Sequence, residues 1–186
     1  EPTDDELIQG CRENNRKSQE MLYRRYARAM FNVCLVYEHD RDKAKDILQD
    51  AFIKIFRNLD RYDGKSPVKC WMKKIISNTA IDHFRKDHHQ PEFIPIENVP
   101  SPLSNDETVA SILETQDIIS QVNRLPDGAR MIFQLHAIEG YTHRQIAKLL
   151  HISEGTSKSQ IYRAKYLLRH WIGDYELKYK VIGGKE

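Results

Sequence analysis

The chain has 186 residues, 30% of them charged, with eight glycines and a formal net charge of +2. This length suits one large domain or two small ones. It has no run of 18 apolar residues and no signal-peptide segment, so we expect a cytoplasmic protein without membrane insertion. Its three cysteines (Cys11, Cys34 and Cys70) form no C-x-x-C pair. We therefore expect neither disulfides nor a zinc site, and each cysteine is predicted to be a small apolar residue within a helix.

Apolar residues recur with a helical period along the chain and nowhere alternate with the period of a β-strand, which predicts an all-α protein. Thr3 and Glu6 form a capping box at the start of a short helix, and Asp40 is expected to cap a later one. The periodicity predicts four helices within residues 1–87, the longest over residues 17–38. These helices are expected to form one compact domain.

The middle of the chain differs in composition from both of its ends. Residues 88–106 hold four of the seven prolines, a density that denies a helix and predicts an extended linker. This part is also acidic, with six carboxylates and no basic residue over residues 90–117. A second domain of four helices is expected over residues 107–173. Residues 174–186 are predicted to be a C-terminal tail, for which the sequence indicates no function.

The second domain contains two helix starts about eleven residues apart. Thr142 and Gln145 form a capping box, and Ser153 is expected to cap the next helix. The apolar residues between these caps have the spacing that packs two short helices across a tight turn, which predicts a helix-turn-helix. His151 lies in the turn where such motifs usually have glycine, so we expect a strained backbone there. The alternative is an ordinary αα-hairpin with a solvated basic face.

The small net charge averages three segments of different sign. Residues 60–88 carry +3 and residues 141–170 carry +5, whereas residues 90–117 carry −6. Two basic segments joined by an acidic one are more informative about this protein than its total charge. No P-loop, H-E-x-x-H motif or nucleophile with an evident base occurs in the sequence. We therefore expect no enzyme activity, no cofactor and no metal site.

Two separated parts of the chain resemble the sigma factors of bacterial RNA polymerase. The first resembles conserved region 2 and comprises DILQDAFIKIF at 46–56, DRYDG at 60–64, CWMKKII at 70–76 and NTAIDHFRK at 78–86. The second, which begins with LPDGAR at residue 125 and ends at Leu168, resembles region 4. The presence of these two regions only, joined by a proline-rich linker, is similar to the layout of the extracytoplasmic-function (ECF, group 4) members of the sigma-70 family. The resemblance covers residues 5–170.

This resemblance implies a protein that binds core RNA polymerase and directs promoter-specific initiation, with the −35 element read as duplex and the −10 element as melted strand. It implies contacts with the polymerase β′ clamp and β flap, with promoter DNA and with an anti-sigma factor. The residues expected to bind core polymerase form one polar ridge of a helix: Asp46, Gln49, Asp50 and Lys54. By periodicity alone, the same ridge is compatible with a solvated helix face.

The resemblance also implies which residues bind DNA. A loop after residue 60 would capture a flipped base, and the next helix would bind the strand's backbone. The expected −10 residues are Arg61, Lys65, Ser66, Lys69, Lys73, Lys74, Asn78 and Asp82, with the lysines on phosphates and Asn78 on a base edge. Trp71 is expected in the core rather than stacked on a base. The expected −35 residues are Arg144, Thr156, Lys158, Ser159, Tyr162, Arg163 and Lys165, and Arg163 could pair with a guanine.

The alternative function is a free-standing helix-turn-helix regulator that binds duplex DNA without polymerase. The polar ridge at residues 46–54 distinguishes the two functions, because a simple repressor needs no docking surface on its other domain. The sequence favours the sigma factor.

Overall fold

A computed structural model of the chain describes residues 2–88 and 120–182, with side chains as far as residue 171. These residues form helices joined by short turns, with no β-strand in either range, which confirms the all-α prediction. The chain divides into two compact units, residues 1–89 and 90–186. The predicted linker beyond residue 88 and the first part of the helix expected after it lie outside the described residues.

The first unit is a bundle in which the longest helix packs against the other three. The first and third of its helices begin at the predicted caps, whereas the second is capped by Asn15, which was not predicted. Thr3 forms the capping box with Glu6, and Asp40 accepts hydrogen bonds from two first-turn amides of the third helix. The elements are α1 (Asp4–Arg12), α2 (Arg16–Tyr37), α3 (Arg41–Asn58), a 3-10 turn (Leu59–Arg61) and α4 (Val68–Asp87).

The core of the first unit is apolar, as the helical periodicity predicts. Its largest fully buried side chains come from all four helices and include Leu22, Met30, Ile55, Met72 and Ile76. Each of these side chains contributes about 1.5–3 kcal/mol by leaving water. This burial fixes the position of α3 against α4, the two helices that carry most of the predicted site residues of this unit.

Two of the three cysteines lie in this core. Cys11 and Cys34 are buried, and burial raises the pKa of the Cys34 thiol to about 12, so it stays protonated and unreactive. Cys70 is exposed near the start of α4. The prediction of a small apolar role was therefore wrong for Cys70, because its helical position falls on the solvent side of α4.

The second unit carries three helices after a short helical stretch at residues 120–123. The first of these helices, Asp127–Phe133, continues directly into a π-helix at Gln134–Ile138, which the sequence did not predict. Gly140 follows with φ +77°, a conformation that is common just after a helix end. The last helix runs through residue 173, so residues 174–182 prolong it. The helices are α5 (Asp127–Phe133), α6 (His143–Leu150) and α7 (Glu154–Ile182).

The helix-turn-helix prediction is confirmed by α6, α7 and the turn between them. The Thr142 backbone amide donates to Gln145 Oε1 at 2.8 Å, and the Thr142 hydroxyl accepts from the Gln145 backbone amide at 3.3 Å. The Ser153 hydroxyl accepts from the Thr156 amide at 2.9 Å and so caps α7. His151 takes a left-handed conformation, with φ 57° and ψ 43°, in agreement with the strain expected from a residue that replaces glycine.

Candidate nucleic-acid and partner interfaces

The predicted polar ridge lies on the outer face of α3. Asp46, Gln49 and Asp50 are exposed, whereas Lys54 is half-buried and turned toward α4. The Asp50 carboxylate lies 2.8 Å from His83 Nε2 on α4, so one edge of the ridge is tied to the neighbouring helix. Three members of the ridge are thus exposed, and the fourth, Lys54, is partly exposed and pairs with α4.

The exposed face of α3 also carries an apolar side chain that the sequence analysis missed. Ile53 is 49% exposed and lies three and four residues from Asp50 and Gln49, so it shares their face. The residue before it, Phe52, meets the ring of Tyr23 of α2 edge-on, with ring centroids 4.6 Å apart. The signal was present in the sequence, because Ile53 falls outside the apolar stripe of its own helix.

Lys54 belongs to an ion-pair network that joins α3 to α4. Its Nζ lies 3.0 Å from Asp82 Oδ2, and Arg85 pairs with the other oxygen of the same carboxylate. Burial disfavours the charged form of Asp82, but the hydrogen bonds and charges of Lys54 and Arg85 outweigh it and lower the pKa of Asp82. Asp82, expected at the −10 element, therefore stays ionised and holds the two helices together.

The loop between the 3-10 turn and α4 has its own internal contacts. Gly64 has φ +73°, which permits the tight turn. The Tyr62 hydroxyl donates to the Ser66 carbonyl at 2.6 Å, and Lys65 Nζ lies 3.2 Å from the Asp63 carboxylate. These contacts hold the loop in a folded conformation, with the side chains of Lys65 and Ser66 exposed at its tip.

A cavity of about 260 Å³ opens where the end of α3 meets α4. This volume approaches the lower end of ordinary small-ligand pockets, about 300 Å³. Trp71 is half-buried and lines the cavity, so the expectation that it lies in the core was wrong. The helix α4 presents this side of Trp71 to solvent because the core position is taken by Met72. The lining residues are Lys54, Asn58, Arg61, Trp71, Ile75, Asn78 and Thr79.

Three lysines lie in the first two turns of α4, within three residues of Trp71, which lines the cavity. Lys69, Lys73 and Lys74 are exposed, and no carboxylate of the described residues pairs with them. Asn78 is exposed one turn beyond Lys74 and lines the cavity itself. The structure therefore brings a pocket of mixed polar and apolar lining and a row of exposed cations onto one helix.

The predicted −35 residues lie on α6 and the first turns of α7. Lys158, Lys165 and Arg144 are exposed, whereas Ser159, Tyr162 and Arg163 are half-buried along the outer side of α7. Thr156 and Ser159 also make hydrogen bonds at the start of α7. Their hydroxyls contact Ser153 Oγ and the Thr156 carbonyl at 2.8 and 2.9 Å. Tyr166, one turn beyond Tyr162 and exposed, completes this face and was missed by the sequence analysis.

Two stacked histidines support α7 through a contact with Ser157. His143 Nδ1 and the buried Ser157 hydroxyl share a hydrogen bond of 2.9 Å, and the His143 ring stacks on His136 with centroids 4.3 Å apart. Burial lowers the pKa of His143, and the nearby charges of His136 and Lys158 lower it further. The polar Ser157 is therefore satisfied inside the motif by a neutral imidazole.

Comparison with known proteins assigns the two units to two conserved regions. The Sigma-70 region 2 profile matches residues 22–90, and the Sigma-70, region 4 profile matches residues 115–168, together about two thirds of the chain. The chain belongs to the sigma-70 family, in its ECF group. Sigma factors act in transcription initiation and are not classed as enzymes.

The similarity to curated relatives extends over most of this chain and most of each relative. The RNA polymerase sigma-H factor of Pseudomonas aeruginosa is 26% identical over 179 residues, which cover 87% of this chain and 90% of the relative. The ECF RNA polymerase sigma-E factor of Escherichia coli K12 is 28% identical over 174 residues, with 88% and 91% covered. The full length of the match shows that both regions occur in the same order in these proteins.

Solved structures of sigma factors are also similar. The sigma factor RpoE of Bartonella quintana, in complex with the anti-sigma factor NepR, is 20% identical with a TM-score of 0.47, over 83% of this chain and 96% of that one. CnrH in complex with the cytosolic domain of CnrY is 22% identical with a TM-score of 0.42, over 90% and 96%. No helix among the described residues is long and apolar enough to span a bilayer.

Proposed function

We propose that this sigma factor binds core RNA polymerase through α3, recognises the −35 element as duplex through α7, and holds the −10 element as melted single strand against α4. The observation that carries this proposal is the pairing of two unlike surfaces on one chain. One is a cavity lined by an indole and amide side chains beside exposed lysines, and the other is a basic helix-turn-helix face. Since the two surfaces suit different forms of DNA, their combination fits a protein that opens a promoter.

The first surface has the parts that binding of an unpaired strand requires. A base that leaves the stack costs a few kcal/mol, so a pocket must contact the base while cations hold the backbone. The cavity supplies the indole of Trp71 and the amides of Asn58 and Asn78. Lys69, Lys73 and Lys74 supply the cations on the same helix. This proposal leaves Asp82 with the structural role that its ion pairs support.

The second surface suits the major groove of a duplex. Lys158, Ser159 and Tyr162 share the outer face of α7, and Arg163 flanks it. A bidentate contact from Arg163 to guanine would contribute about 1–3 kcal/mol of discrimination against other bases. Lys165 and Arg144 lie at the margins of this face, where we place phosphate contacts. The capping contacts of Thr156 and Ser159 hold the start of α7 in the helical conformation that reading requires.

The exposed face of α3 is the surface that we assign to core polymerase. Asp46, Gln49 and Asp50 would pair with basic groups of the β′ clamp and set orientation and association rate. Ile53 lies among them, and an apolar side chain surrounded by polar ones is the usual pattern of an interface anchor. We further propose that region 4 contacts the β flap, and that an anti-sigma factor controls this protein in the cytoplasm.

The test is reconstitution with purified core polymerase and run-off transcription on genomic fragments of the source bacterium, with mapping of the start sites. We expect specific initiation only when the sigma factor is present. Asp46→Arg should slow association with core polymerase about tenfold at low salt, because electrostatic steering is reversed. Glu13→Arg, the same charge change at the end of α1, is the matched control and should leave the rate unchanged.

Two results would contradict the proposal. Sequence-specific binding of duplex DNA by the chain alone, with no co-elution with core polymerase in gel filtration, would favour a free-standing regulator. Equal association rates for Asp46→Arg and Glu13→Arg would remove the docking role of α3. Purification of the full chain from the source cells with an associated inhibitory protein would support the anti-sigma partner, and a chain that is always active would argue against one.

A further inference from the structure

The helix α1 is fixed on α2 at both of its ends. Near its start, the Asp4 carboxylate accepts hydrogen bonds from Arg25, at 2.7 Å, and from the Tyr26 hydroxyl. Near its end, a Cβ added at Gly10 would lie 2.2 Å from the Ser18 hydroxyl oxygen, so α1 crosses the start of α2 at a distance that only glycine allows. The last residue of α1 therefore has a defined position relative to the bundle.

That last residue, Arg12, reaches across to the end of α3. Its Nε and Nη2 donate to the Leu59 carbonyl at 3.3 and 3.1 Å, and Nη2 also donates to the Tyr62 carbonyl at 2.7 Å. The Leu59 carbonyl also accepts from the Tyr62 amide at 3.1 Å, and a cation at the end of a helix is favourable for the helix dipole. The guanidinium thus bridges the two ends of the 3-10 turn from a site 47 to 50 residues away in sequence.

Tyr62 carries this restraint into the loop and the cavity. Its hydroxyl donates to the Ser66 carbonyl at 2.6 Å, which closes the loop. Its ring lies 5.4 Å, centroid to centroid, from the ring of Trp71, which lines the cavity. A continuous set of contacts therefore runs from Arg12 through Tyr62 to the wall of the cavity.

We infer that Arg12 is a positioning residue for capture of the melted strand: it acts through Tyr62, contacts no base, and holds the loop and Trp71 in a conformation ready to receive DNA. The inference rests on the proposed function of the α3–α4 surface. Because binding of a single strand to a preformed site avoids the cost of ordering the loop, this restraint raises affinity. A merely structural role for Arg12 would instead change only the folded fraction of the protein.

The experiment compares Arg12→Gln with wild type and with Arg24→Gln. Arg24 is an exposed arginine of α2 whose ion pair, within the described part of the chain, is with Glu20 of the same helix. The probe is a single-stranded oligonucleotide with the non-template sequence upstream of a start site mapped by run-off transcription, bound to reconstituted holoenzyme. We expect Arg12→Gln to lower affinity for this oligonucleotide about tenfold, the effect of losing charge-assisted hydrogen bonds. Affinity for core polymerase should stay within about twofold of wild type.

Two further variants separate positioning from folding. Arg12→Lys keeps the charge but cannot bridge both carbonyls with a planar fork, so we expect it to restore less than half of the lost affinity. Tyr62→Phe removes the hydroxyl bond to Ser66 and keeps the ring, and it should lower oligonucleotide affinity about threefold. If Arg12 acts through Tyr62, the double variant should show less than the product of the two single effects.

The outcomes distinguish this inference from the proposed function. A wild-type holoenzyme that binds no single strand would overturn the proposed function itself. A wild type that binds, together with an Arg12→Gln variant that binds equally well, would overturn only the positioning role. So would a parallel loss of oligonucleotide and core-polymerase affinity, which indicates general unfolding. Should Arg12→Gln fail to fold, Tyr62→Phe decides the matter, and an unchanged affinity for the strand overturns the inference.

Discussion

The exposed isoleucine of α3 gives the sharpest test of where core polymerase binds. Complete burial of an isoleucine side chain contributes about 1.5–3 kcal/mol. Ile53 is 49% exposed in the free protein, so about half of this, ~1 kcal/mol, is available to a partner that covers it. Ile53→Ala removes most of the side chain and should raise the Kd for core polymerase about fivefold.

The chain offers a matched control for this variant. Val36 of α2 is also β-branched and is 41% exposed, and by helical periodicity it lies on the opposite side of α2 from Tyr23, which contacts Phe52, the residue before Ile53. Val36→Ala should therefore leave the Kd unchanged. Both substitutions are on the surface, and we expect each to change the free energy of unfolding by less than about 0.5 kcal/mol.

The assay is fluorescence anisotropy of labelled sigma factor titrated with core polymerase, at two salt concentrations. The effect of Ile53→Ala should persist at high salt, because apolar burial is not screened, whereas that of Asp46→Arg should shrink. Equal Kd values for Ile53→Ala and Val36→Ala would refute the reasoning that this face of α3 is buried by the polymerase.

Three further predictions concern stability and DNA binding. Because the pKa of Asp82 is lowered in the folded protein, its contribution is present above the ordinary aspartate pKa of 3.8 and is lost as pH falls through the folded pKa. Asp82→Asn should therefore lower stability at pH 7 by at most about 1 kcal/mol, with a smaller difference in thermal unfolding at a pH below the folded pKa. Gly10→Ala should destabilise the first unit by about 1–3 kcal/mol in urea unfolding through its clash with Ser18. Gly155→Ala is the control in the second unit: its Cβ would have only an ordinary 3.6 Å contact, so it should not destabilise that unit. Lys158→Ala should weaken holoenzyme binding to duplex −35 DNA and reduce the slope of log affinity against log salt by about one, and an unchanged slope would exclude a phosphate contact.

The sequence by itself determined where four of the helices begin and to which family the chain belongs. The caps at Thr3, Asp40, Thr142 and Ser153 act over three residues, so the contact that starts each helix is contained in a short segment. The strained turn at His151 was predictable for the same reason. The two family regions were evident because each depends on a run of residues that is continuous in sequence.

Only the tertiary structure decided which surface residues remain available to a partner. Periodicity indicates which face of a helix is polar, but not which helix lies beside it. Lys54 and Asp82 are 28 residues apart, and their ion pair joins the two surfaces to which the sequence assigned them separately. The exposure of Trp71 and the reach of Arg12 to Tyr62 likewise depend on how three helices pack. These contacts join distant residues, and no local pattern of one helix contains them.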